Sequence, residues 1–120
     1  MLVYNPKKPR RYVLNVEKNL PEEQRTVFLL KVLTVEERDQ LHASFVKAKK
    51  ENTDNIDYMK LNRECVSLGL VGWENAKDED GEEIPFDKDT AFNCLMDDTI
   101  LSLTLAIKHG SELTEQDKKN

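Results

Sequence analysis

A chain of 120 residues with 34% charged side chains has the size of one domain, able to hide roughly two-thirds of the surface its unfolded form exposes. A formal net charge of −5 argues against phosphate neutralisation as the main task, which disfavours nucleic acid as a partner. No apolar run is long enough to span a bilayer and the N-terminus lacks the apolar block of a secretory signal, which fits a cytoplasmic protein without a membrane partner.

Lys7, Lys8, Arg10 and Arg11 cluster among Pro6 and Pro9, so residues 1–10 read as a flexible basic arm and residues 11–110 as a single globular domain. From Arg11 to Val16 the run RYVLNV is rich in β-formers, and TVFLLKVL from Thr26 to Leu33 is a second such run. Asn19, Leu20 and Pro21 break the chain between them, giving a hairpin or a pair of adjacent strands. The connection is too long for turn chemistry to set the register.

Thr34-Val35-Glu36-Glu37 fits a capping box, with the Thr hydroxyl accepting from the amide three residues on and the Glu carboxylate reaching back. The helix it starts should bury Leu41, Phe45 and Ala48, flanked by Val46, and end in Lys49 and Lys50, which suit the dipole. After the polar break ENTDN a second helix is expected from about Ile56 to Leu68. Tyr58, Leu61, Cys65 and Leu68 lie on one face, Met59 and Val66 widen it, and Gly69 serves as the residue beyond its C-terminus.

The segment Gly72 to Phe86, GWENAKDEDGEEIPF, holds the one tryptophan and reads as a structural loop. Trp73 would bury its ring and seek a partner for the indole N–H, and Asp80-Gly81 supplies a turn with positive φ. Asp78, Asp80 and Gly81 match the third, fifth and sixth places of a calcium loop, but Ala76 falls at the first and Asp87 at the twelfth, which disfavours a metal site. Pro85-Phe86-Asp87 reads as an extended stretch ending at a helix cap.

Asp87 then caps a third helix carrying Phe92, Leu95 and Met96, and Asp97 or Asp98 caps a fourth with Ile100, Leu101, Leu103, Leu105 and Ile107, ended by Gly110. Residues 99 to 107 could also be a strand, since Ile or Leu at 101, 103, 105 and 107 alternate with smaller or polar residues, but the flanking aspartates, Lys108 and Gly110 favour helix. The polar segment 111–120 reads as a disordered tail. The expected fold is a mainly α-helical α+β domain of about four helices with a small N-terminal hairpin-like element.

The sequence carries no recognisable reaction centre. His42 and His109 lie near no nucleophile motif, Cys65 and Cys94 read as small core residues with neither a disulfide nor a metal spacing, and the many paired carboxylates are helix starts and turns. Glycine-rich phosphate loops and HExxH are missing, so a non-enzymatic protein without cofactors is expected.

Two segments, EQRTVFLLKVLTVEERDQL at 23–41 and GWENAKDEDGEEIPF followed by a helix at 88–96, resemble the tail assembly chaperones of long-tailed bacteriophages and prophages. The resemblance implies a protein that binds the tape measure protein, keeps it soluble and helps recruit tail tube subunits, and that is absent from the mature virion. On it, Trp73, Pro85 and Phe86 shape the loop or contact the partner, and self-association is compatible with coating a long partner. Two rivals stand beside it: a structural head-tail connector or tail completion protein, and an acidic phage inhibitor of a host enzyme.

Overall fold

Val27 to Leu30 alternate partly buried and buried side chains, the period-two signature of a strand with one covered face. The structure, a computed structural model, describes residues 8–51 and 55–110. Residues 1–7 of the expected basic arm, residues 52–54 of the polar break and the expected tail 111–120 lie outside the described residues. Strand β2 (Val27–Leu30) sits at the centre of a three-stranded antiparallel sheet, between β1 (Arg10–Tyr12) and β3 (Leu70–Glu74). Four helices complete the α+β domain: α1 (Val35–Glu51), α2 (Tyr58–Gly69), α3 (Lys88–Cys94) and α4 (Asp97–Gly110).

The sheet register places Tyr12, Phe28 and Trp73 side by side across all three strands, so their rings share one face. Phe28 and Leu30 turn that face toward Cys65 and Val66 of α2 and Ile100, Leu103 and Ile107 of α4, which together form the core. Leu29 pairs with Gly72 but Leu30 with Leu70, so Val71 is an extra residue, a bulge that leaves its side chain exposed. On the sheet's other side Arg11 and Glu74 pair at 2.7 Å, an exposed bridge that contributes little stability.

Local signals fix most helix starts. Thr34 and Glu37 form the capping box reciprocally, the Glu37 amide donating to Thr34 Oγ1 at 3.1 Å and the Thr34 amide to Glu37 Oε1 at 2.9 Å. Partial burial pushes the Glu37 carboxyl up, but hydrogen bonds and charge from Lys31, with the Thr34 amide and hydroxyl, outweigh it and hold the pKa below the usual range. Asp57 caps α2 by accepting from the Lys60 amide, and Asp87 caps α3 by accepting from the Asp89 amide.

Several expectations are corrected. The first strand covers only residues 10–12 and includes Arg10, which had been assigned to the arm; a 3₁₀ turn at Asn15–Glu17 replaces its second half. Gly72, Trp73 and Glu74 belong to β3 rather than a loop. Asp97 and Asp98 lie inside the first turn of α4, where their charge suits the dipole without capping it. The stripe Leu41, Phe45, Ala48 is not buried: α1 has no buried residue along its 17 residues.

Candidate functional site

Trp73 and Phe86 meet with ring centroids 5.1 Å apart and planes at 86°, and Trp73 meets Phe28 edge-on at 6.4 Å. The indole N–H donates to the Ile84 carbonyl at 2.7 Å. Trp73 therefore clamps the end of the acidic segment onto the sheet. Both rings are partly buried and pack against the core, while Pro85 is exposed at the rim of a depression of about 440 Å³. Of the three residues singled out from sequence, the structure brings Trp73 and Phe86 into packing and leaves Pro85 accessible.

The acidic turn between them is a small hairpin. Asp78 accepts the amides of Asp80 and Glu82 on Oδ1, and Gly81 at φ +79° donates its amide to the Asp78 carbonyl. The Ala76 carbonyl accepts the Ile84 amide at 2.7 Å. Two backbone donors thus occupy the Asp78 carboxylate. Among the described residues no group of three or more His, Cys, Asp or Glu is placed to hold a metal ion.

Asn75 anchors the start of this segment in the left-handed region at φ +60°. Its Nδ2 donates to the carbonyls of Glu23 at 2.8 Å and Arg25 at 2.9 Å, and Thr26 Oγ1 donates to its carbonyl at 3.2 Å. Asn75→Ala is expected to lower stability by about 1–2 kcal/mol through the lost bonds and the disfavoured φ, measured by urea unfolding. Asn75→Gly, which keeps the φ, should lose less.

A second and more open surface lies between α1 and α2. The two helices meet along a polar seam, where Ser44 Oγ and Gln40 Nε2 donate to Glu64 Oε1 at 2.9 and 3.3 Å. Beside that seam a groove of about 500 Å³ opens, floored by Leu33 and walled by Leu41, Phe45, Tyr58 and Leu61. Phe45 and Tyr58 are 37% and 60% exposed. Arg38 and His42 of α1 and Lys108 of α4 line it as well, and none of the ten residues around it is an aspartate or glutamate.

Cys65 and His42 border the same groove. Burial pushes the Cys65 thiol up to about 11, helped by Glu64 and opposed by Lys108, so it is the opposite of an activated nucleophile. Cys94, expected in the core, is exposed on α3 because the buried position of that short helix is taken by Ala91. One thiol of the two should therefore react with maleimide in the native protein at pH 7.5. Cys94→Ser should abolish that labelling, and urea should expose Cys65, a pattern checked by mass spectrometry.

The apolar spacing of α1 predicts a core stripe, and the structure divides it: Leu41 is partly buried and packs against the core, whereas Phe45 is exposed at the groove. Lys108 of α4 joins Arg38 and His42 of α1 only through the packing of the helices, and no local motif marks the three as a set. In comparisons with known proteins the chain matches no family model, no curated protein and no solved structure.

Proposed function

We propose that this chain is a tail assembly chaperone of a long-tailed bacteriophage or prophage, acting in the host cytoplasm without catalysis. It binds the tape measure protein, keeps it soluble while the tail is built, and helps recruit tail tube subunits. The observation that supports this reading best is α1, a helix with no buried residue that leaves an apolar groove open against α2. A long helical partner in solution needs its apolar stripe covered until assembly, and such a groove can cover it reversibly. The net negative charge would keep the complex dispersed.

The resemblance of residues 23–41 and 72–86 to the chaperone family points the same way. In the structure these segments are respectively the strand and capped helix that carry one wall of the groove, and the clamp around Trp73.

A head-tail connector or tail completion protein would instead be retained in the particle. Quantitative mass spectrometry of infected lysate and purified virions separates the two. A chaperone is abundant in lysate and absent from washed particles, whereas a fixed copy number per particle would overturn this reading in favour of a virion component.

A further inference from the structure

The groove between α1 and α2 has a charge pattern unlike that of the chain. Acidic residues outnumber lysine and arginine 23 to 18 overall, yet the ionisable side chains Arg38, His42 and Lys108 line the groove beside its apolar walls with no carboxylate among them. Arg38 and His42 lie four residues apart on α1, and Lys108 projects from α4. Apolar contact is thus offered together with the cations of Arg38 and Lys108 to an incoming segment.

We infer that this groove takes an amphipathic helix whose apolar stripe is bordered by glutamate or aspartate. The apolar stripe lies along Leu41, Phe45 and Leu61, and the bordering carboxylates meet Arg38 and Lys108. Charge complementarity selects this occupant. A basic helix would set its lysines against Arg38 and Lys108, while a wholly apolar segment would leave both without a counter-charge from the partner. The inference deepens the chaperone reading by giving the chemistry of the segment held, and rests on that reading only in taking the segment from a tape measure protein.

The test uses a synthetic helix-forming peptide of about 18 residues with leucines at i, i+3, i+4 and i+7 spacing and flanking glutamates, and a copy with lysine at every glutamate. Calorimetry should show the glutamate peptide binding about tenfold or more tightly than the lysine peptide, with affinity falling as salt rises. Amide NMR signals of Leu41, Phe45 and Leu61 should shift on titration. The double variant Arg38→Glu, Lys108→Glu, at exposed positions and verified as folded by circular dichroism, should erase or reverse the preference.

Equal affinity for both peptides, shifts confined to other surfaces, or an unchanged preference in the folded double variant would overturn the inference. So would binding of neither peptide, including the case in which a second copy of the chain already covers the groove. Because these probes contain no tape measure sequence, a tape measure protein that co-purifies while the peptide preference is missing would refute the groove chemistry alone.

Discussion

Trp73→Ala should lower the unfolding free energy by about 3 kcal/mol or somewhat more and the melting temperature by more than about 10 °C. The ring joins Phe28 on the sheet to Phe86 beyond the acidic turn, and its N–H holds the Ile84 carbonyl at 2.7 Å. Truncation removes two aromatic contacts and that hydrogen bond together, and the chain from Lys77 to Phe86 loses its clamp. Trp73→Phe, which keeps a ring but no donor, should lose about 1 kcal/mol, so the pair of variants separates packing from hydrogen bonding. Denaturation followed by circular dichroism gives both values. A Trp73→Ala protein that melts like the parent but fails to bind its partner would reassign the residue from packing to recognition.

Gly69→Ala should destabilise by about 1–3 kcal/mol even though alanine is the better helix former. A Cβ at Gly69 would lie 2.7, 2.7 and 2.8 Å from three side-chain atoms of Ile107, which is fully buried where α2 crosses α4. Ile107 cannot move aside without disturbing Leu103 and Val66 in the same cluster. Combining Gly69→Ala with Ile107→Ala should cost less than the two single variants added together, because truncation at Ile107 removes all three atoms that the new methyl would meet. Thermal unfolding of the two single variants and the double variant measures the coupling. Strict additivity would show that the close approach is relieved by some other movement.

The same glycine shows where the sequence was legible and where it was not. Its position at the end of an apolar stripe marked the end of α2 to within a residue, but Gly69 is the last residue of the helix rather than the one beyond it, Leu70 is the C-cap, and among the described residues Gly81 is the glycine with positive φ. At Gly69 the chain runs straight into β3, and the small residue serves interhelical contact with Ile107. Propensity and spacing report local geometry well. Thr34 with Glu37 and Asp87 act as the expected helix-start residues because capping involves neighbours only a few positions apart, whereas Asp57, which fell inside the expected second helix, is the cap of α2. The helical assignment of residues 99–107 over an alternating strand pattern was likewise readable from the flanking residues.

Burial was harder to read because periodicity identifies a face without identifying what covers it. Leu41 and Phe45 have the spacing of core residues, but α1 meets α2 through a polar seam, so Leu41 packs against the core only in part and Phe45 is exposed beside an open groove. Cys94 follows the same logic on a helix of seven residues, where a single buried position, Ala91, suffices. At the proposed loop site, the sequence pointed to Trp73 as an anchor with an indole partner, and the structure supplies that partner at Ile84. It did not reveal β3, since Leu70–Glu74 is five residues long and contains a glycine. Nor could it assemble Arg38, His42 and Lys108, which only the packing of α1, α2 and α4 brings to one groove.

Co-expression of this chain with the tape measure protein of the same phage or prophage, followed by affinity purification and size-exclusion chromatography, tests the chaperone function most directly. A tape measure protein that is insoluble alone and elutes as a soluble complex with this chain is the expected result. A tape measure protein that remains insoluble and unbound while this chain elutes alone would contradict it.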